Sequence, residues 1–199
     1  MIKRCALLGL FLLLASCATV PVQTPEPEGP GSLERHARAL AELTAWQVRG
    51  RAAISMPGQA GTVSMVWHQR GEHYNIELRA PWGAGTVKVD GGPSGVLLRT
   101  SAGVHEYAAA PRELLRRHSG LDLPLEALRY WLLGLPVPAV AAQPTLDSRG
   151  LLSELRQHGW RIRYLNYGEF AGLALPTRLF LTGEDIEVRI VVQEWMLDR

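Results

Sequence analysis

From Trp46 onward the chain alternates apolar and polar residues over short runs, and it does so again and again. Runs 46–56, 62–69, 74–80, 86–90, 95–100 and 104–107 carry side chains at a period of two. They are separated by Pro57-Gly58, Arg70-Gly71-Glu72, Gly91-Gly92-Pro93 and Ala102-Gly103. A period of two puts alternate residues on opposite faces of a strand. Connections this short cannot hold a crossover helix, so neighbouring strands must run antiparallel. A second set follows at 145–148, 151–157, 160–166, 174–182 and 186–197, with turns at Arg149-Gly150, His158-Gly159 and Gly183-Glu184-Asp185.

Helical spacing occurs in three places. Leu33, Ala37, Leu40 and Leu43 form a stripe in a helix that starts at Ser32, a possible N-cap, and ends near Thr44. Pro111 suits the first turn of a second helix, which carries Leu114 and Leu115 and stops at Ser119-Gly120. Pro124 opens a third over 125–133, closed by Gly134 and blocked by Pro136 and Pro138. The expected fold is mainly β with helices. It is a curved antiparallel sheet, or open (incomplete) β-barrel, of about eleven strands, with helices packed at the open side. Many consecutive hairpins in one sheet make it curl, and a curled sheet under helices can enclose an apolar cavity.

The N-terminus reads as an address. Lys3-Arg4 precede an apolar stretch from Cys5 to Leu14, then the small residues Ala15-Ser16, then Cys17. That is the layout of a secretory signal peptide, too short for a comfortable membrane span. Leu14-Ala15-Ser16-Cys17 also resembles a bacterial lipobox, which implies cleavage before Cys17 and lipidation of that residue. An ordinary signal with an incidental cysteine is the alternative. Ala18, in place of the Asp common in lipoproteins kept at the inner membrane, points to the outer membrane. Residues 18–31 are rich in Pro and Gly without apolar periodicity and form an extended tether. The expected organisation is a signal peptide at 1–16, a lipidated cysteine with tether at 17–31, and a folded domain at 32–199. Loss of Lys3 and Arg4 would bring the 21 Lys and Arg residues level with the 19 acidic ones. A neutral chain with no Lys/Arg block is poorly suited to nucleic acid. With only Cys5 and Cys17 present, no internal disulfide is available to the folded domain.

Catalytic signatures are missing. The six histidines are scattered, none in H-E-x-x-H, and no Cys/His ligand set exists. There is no G-x-S-x-G elbow; Gly83-Ala84-Gly85 lacks a third glycine and precedes a strand, so it makes no dinucleotide loop. Lys88 is the one lysine after the signal segment. No enzyme activity, metal or cofactor is expected.

Several segments together resemble the outer-membrane lipoprotein receptor family LolB. They are Trp46-Gln47-Val48-Arg49-Gly50-Arg51, Trp67-His68-Gln69, the run from Tyr74 to Gly83, Leu123-Pro124-Leu125, and the run from Leu128 to Pro136. Gln157-His158-Gly159-Trp160, Tyr164, Leu175-Pro176 and Trp195 complete the pattern behind the lipobox. The resemblance implies an open eleven-stranded antiparallel barrel lidded by three helices. It also implies a receptor that takes lipoproteins from the soluble periplasmic chaperone LolA and releases them into the outer membrane, without ATP, metal or covalent intermediate. The expected partners are LolA, lipoprotein acyl chains and outer-membrane lipid; the expected form is a monomer, anchored to the outer membrane and facing the periplasm.

The residues expected to line an acyl-chain cavity are Val48, Met65, Trp67, Ile76, Leu78, Trp131 and Leu133, with the Leu114-Leu115 and Leu128–Leu132 helices closing it. For Trp67, Trp131, Trp160 and Trp195, core packing and cavity wall are equally compatible with the sequence. Arg49 and Arg51 fit solvent-facing strand positions. Pro81, Trp82 and Gly83 occupy a turn between strands. The resemblance implies that the apolar residue at the centre of this Pro-x-Gly loop promotes delivery into the bilayer, and here that residue is tryptophan where leucine is common. A tryptophan folded back over the hairpin is the alternative. Two further functions are a structural or assembly lipoprotein that binds a protein through its sheet, and a lipid-processing enzyme, for which no convincing nucleophile is present.

Overall fold

The computed structural model describes residues 32–120 and 122–198; Cys17, the signal segment and the tether lie outside the described residues. Three helices, α1 (Ser32–Ala41), α2 (Pro111–Ser119) and α3 (Leu125–Leu132), accompany eleven strands. These are β1 (Ala45–Met56), β2 (Gln59–Arg70), β3 (His73–Arg79), β4 (Thr86–Gly92), β5 (Gly95–Thr100) and β6 (His105–Ala108). After the helices come β7 (Gln143–Leu146), β8 (Leu152–Gln157), β9 (Trp160–Phe170), β10 (Leu173–Thr182) and β11 (Glu187–Asp198).

All eleven strands form one antiparallel sheet in the order β6-β5-β4-β3-β2-β1-β11-β10-β9-β8-β7. The first and last strands pair at its centre, Ala45 opposite Asp198 and Ser55 opposite Glu187. Two meanders, β1–β6 and β7–β11, therefore extend outward as wings. Their edge strands β6 and β7 do not pair, so the sheet stays open. The chain between those edges carries α2 and α3. Helix α2 packs on β5 and β6, whereas α1 and α3 pack on β10.

Alternation decides which face is interior. Trp195, Val48, Trp67, Ile76, Val89 and Leu98 stand side by side across β11, β1, β2, β3, β4 and β5, each 6% exposed or less. On the other wing Val188, Leu181, Ile162 and Leu155 form a matching buried row. Two glycines make this possible. Gly50 sits at a bulge where β1 meets β11, and a Cβ there would run into the carbonyl oxygen of Val191. Gly91 lies under the ring of Tyr74, where a side chain would overlap the phenol.

The eleven strands and three helices match the number and order that the hydrophobic periods predict, and the boundaries differ where a tertiary bond takes over. Helix α1 stops at Ala41 instead of near Thr44, because the Thr44 N–H donates to the Asp198 carbonyl at 3.1 Å and the Thr44 carbonyl accepts from Gly71 N–H at 3.2 Å. Strand β9 runs past Asn166 to Phe170 because β10 pairs with it to the tip of the hairpin. Strand β7 lies earlier than expected. The Asp147 carboxylate accepts the N–H groups of Arg149 and Leu151 at 2.9 and 3.0 Å and fixes a turn where strand was anticipated.

Candidate functional site

The seven residues expected to line a cavity meet in a single apolar cluster. Val48, Met65, Trp67 and Ile76 point inward from β1, β2 and β3, and all are buried. Leu78 and Leu133 are half-buried and pack against the same cluster. Trp131 reaches it from α3 and is fully buried, as is Leu132. Leu114 and Leu115 of α2 are buried in the cluster too, so both lid helices contribute apolar faces. Arg49 and Arg51 point outward, and Arg49 lies 3.6 Å from Glu194.

The tryptophans of the interior fall in two groups. Trp46 sits between Trp67 and Trp195, with ring centroids 5.8 and 5.6 Å away, and Tyr74 lies 6.0 Å from Trp67. Across the interior Trp131 of α3 faces Trp160 of β9 at 6.1 Å. Each indole N–H that is buried needs an acceptor. Trp67 Nε1 donates to Gln69 Oε1 at 2.9 Å, and Trp195 Nε1 to the Pro176 carbonyl at 3.1 Å. Trp131 Nε1 donates to Gln157 Oε1 at 3.2 Å.

Gln157 does more than accept one indole. Its Oε1 also accepts Val137 N–H at 2.8 Å, and its Nε2 donates to the carbonyls of Val137 and Val140 at 3.0 and 3.2 Å. One buried amide on β8 thereby fastens α3 and the segment after it to the sheet. Sequence reasoning gave Gln69 and Gln157 no role. Their signal was phase: each falls on the inward positions of its strand, where a polar residue needs a partner.

The other end of the lid is held differently. Arg117 and His118 of α2 both bond the Glu106 carboxylate on edge strand β6, in partly exposed positions. A second tie joins helices. His36 of α1 lies 3.4 Å from the Leu133 carbonyl just beyond α3. Burial holds the His36 imidazole below its ordinary pKa, and the Leu133 carbonyl opposes that shift. Tyr74 is pushed up to about 12, chiefly by burial and also by Glu126, with Arg129 opposing. Burial raises Tyr164 and Tyr167 as well, so these interior phenols stay neutral.

Pro81–Gly83 forms a 3-10 turn between β3 and β4. Ala84 N–H closes it on the Pro81 carbonyl at 3.2 Å, and Ala80 N–H bonds the Gly85 carbonyl at 2.9 Å below it. Pro81 and Gly83 are exposed; the Trp82 side chain lies outside the described features.

Residues 44–195 match the family model described as outer membrane lipoprotein LolB. This chain belongs to the LolB family. It is similar to the outer-membrane lipoprotein LolB of Alkalilimnicola ehrlichii, with 40% identity covering 94% of this chain and 92% of that protein. Similar matches come from Ectopseudomonas mendocina, at 36% identity over 98% and 97% of the two chains, and Halorhodospira halophila, at 38% over 92% and 90%. The LolB-family chain is thus a lipoprotein of the outer membrane and not an enzyme. Its fold also resembles that of a LolA-superfamily protein from Nitrosomonas europaea, with a TM-score of 0.55 at 10% identity over 85% of this chain and 93% of that one. A putative outer membrane lipoprotein-sorting protein domain from Vibrio parahaemolyticus gives 0.57 at 6% identity, covering 84% and 91%. At such identities the likeness concerns the LolA-like fold alone.

Proposed function

We propose that this LolB-family chain receives lipoproteins from the periplasmic chaperone LolA, holds their acyl chains in its apolar interior, and passes them to the outer membrane. The observation that supports this most is the continuous apolar cluster on the inner face of the sheet, covered by helices of which α3 is fastened through the buried amide of Gln157. Acyl chains enter as α3 lifts, and they take over the contacts that Trp131 makes in the closed form. Each step exchanges one apolar environment for another, at ~0.8 kcal/mol per CH₂ that would otherwise meet water. Val48, Met65, Trp67, Ile76 and Leu78 then form the sheet wall, and Trp131 and Leu133 the lid wall. No cofactor or covalent intermediate takes part, and the receptor works as a monomer.

In this reading Cys17 carries the anchor, residues 18–31 act as a tether, and the receptor domain starts at Ser32. The Pro81-Trp82-Gly83 turn touches the bilayer. Indole favours the interface, with its ring toward lipid and its N–H toward water.

The test reconstitutes the full-length chain in vesicles and adds LolA loaded with a labelled lipoprotein. Label should move from LolA to the vesicles. Ile76→Glu should block acceptance, since a charge in the wall opposes an acyl chain. Trp82→Glu should accept cargo but slow its arrival in lipid, and Trp82→Leu should retain most transfer. Absence of acceptance by the wild-type chain would refute the receptor reading. Joint loss of acceptance and stability in Trp82→Glu would move the insertion role away from this turn.

A further inference from the structure

The strand register sets a line of arginines on the outer face of the sheet, level with the Pro81–Gly83 turn. Arg178 on β10 lies opposite Val191 on β11, Val191 opposite Arg51 on β1, Arg51 opposite Ser64 on β2, and Ser64 opposite Arg79 on β3. All five residues are exposed. Arg79 is the last residue of β3, and the chain passes from it through Ala80 into the turn. With strands about 4.8 Å apart, the row spans roughly 19 Å.

Its charges are not balanced locally. Arg51 and Arg178 make no ion pair or side-chain hydrogen bond among the described residues, whereas Arg49, one position before Gly50, has Glu194. Arg79 shares Glu77 with Lys88, so two cations divide one carboxylate there. The neighbouring row adds Arg163 and Arg189, which lie 4.7 and 5.0 Å from the centroid of the Phe180 ring; Arg189 is paired with Glu187 at 3.7 Å, whereas Arg163 has no ion pair among the described residues. Val191, 42% exposed, stands between Arg51 and Arg178. A surplus of guanidinium around an apolar residue is a specific surface in a chain whose charges otherwise nearly cancel.

We infer that this row is a docking face for an anionic phospholipid surface, which holds the domain with its Pro81–Gly83 turn toward the bilayer. The inference rests on the proposed role of that turn. Lipid is favoured over an acidic protein because the row runs directly into the turn and because the chain is an outer-membrane lipoprotein. With the anchor at Cys17, residues 18–31 would reach at most about 45 Å when extended, so the sheet never leaves the neighbourhood of headgroups. Guanidinium binds phosphate through paired N–H donors and keeps its charge at every physiological pH. The contact is therefore insensitive to pH and sensitive to salt.

The test uses the full-length chain anchored in vesicles of phosphatidylethanolamine, with or without phosphatidylglycerol. A fluorophore on Ser64→Cys, within the row, is read against a headgroup-attached quencher. Quenching should rise with phosphatidylglycerol and fall as salt approaches about 1 M, where the Debye length is about 3 Å. Arg51→Gln and Arg178→Gln should each weaken the contact roughly five-fold. Arg49→Gln, already paired with Glu194, should change it by less than about two-fold. Equal quenching in the two lipid compositions, or full quenching in the double variant, would overturn the inference. So would a double variant that slows uptake from LolA while quenching is unchanged, which would make the row a protein-docking face. Uptake by the wild-type chain is scored in the same vesicles. If uptake fails while lipid-dependent quenching persists, the receptor reading falls and the headgroup contact stands. If uptake succeeds without such quenching, the reverse holds.

Discussion

The two tryptophan groups of the interior are held by different means. Trp67 is satisfied by Gln69, two residues along its own strand; Trp46 on the adjoining strand β1 packs against it, and Trp195 on β11 packs against Trp46. Every partner belongs to the sheet. Trp131 belongs to the lid, and its acceptor Gln157 belongs to β8, 26 residues away. The first group cannot come apart without breaking strand pairing. The second can, once four hydrogen bonds to one amide are released and the apolar face of α3 parts from the core. The proposed uptake, in which α3 lifts, needs such an asymmetry: a wall that persists and a lid whose polar attachment is concentrated at Gln157. The contacts of α2 with Glu106 add little, since a partly exposed ion pair such as Arg117–Glu106 contributes about 0–1 kcal/mol.

The largest effect should come from the wall. Trp67→Ala removes a fully buried indole from the centre of the sheet row and should lower global stability by about 3–5 kcal/mol in urea denaturation. A loss confined to the lid would contradict the assignment of Trp67 to the permanent wall.

Gln157→Leu comes next. It strands the Trp131 indole and the backbone N–H and carbonyl of Val137, at a cost of about 2–3 kcal/mol. Hydrogen exchange should speed up first in α3 and in residues 133–140, with β1–β3 much less affected. Uniform acceleration across the molecule would mean that lid and wall are one cooperative unit.

Gln69→Leu sharpens the contrast from the other side. It removes the acceptor of Trp67 and the bond to the Gly71 carbonyl, but Gly71 is exposed and water can replace that partner. The expected loss is about 1 kcal/mol, smaller than for Gln157 and without selective loosening of α3.

The smallest effect is the pH response of His36. Its folded pKa is depressed, so the unfolded chain takes up the proton first as pH falls. Stability attributable to this group should be constant above about 6.5, decline below it, and level off beneath the folded value. Denaturant titrations at a series of pH values should show that decline in the wild-type chain and a flatter profile in His36→Gln. An unchanged profile would contradict the depression of the His36 pKa by burial.

Inward-facing wall residues were legible because the side-chain period of a strand is fixed. Once the phase of β2 is set by Met65 and Trp67, Gln69 must point inward as well, whereas the place of Ile76 beside Trp67 is decided by the register of β2 with β3. The lid was legible only as helices with apolar residues. Nothing local tells Trp131 that its acceptor will be Gln157, and the turn that ends β7 at Leu146 depends on Asp147 meeting two backbone N–H groups. Gly50 shows the same limit. The sequence marks a glycine within a strand, but the reason lies in the carbonyl of Val191 on a strand more than a hundred residues later.

The sequence by itself determined the elements, their order and the alternation of faces along each strand, because periods of two and 3.6 and the turn residues act over a few neighbours; which alternate set faces inward was left to the register. Only the tertiary structure decided which strands meet. The pairing of β1 with β11 joins the chain's two halves, creates the row of tryptophans at its centre, and aligns Arg51 with Arg178 on the opposite face. Such pairings join residues far apart in sequence. They are fixed by burying both wings around one core and under one lid, and no local signal encodes them.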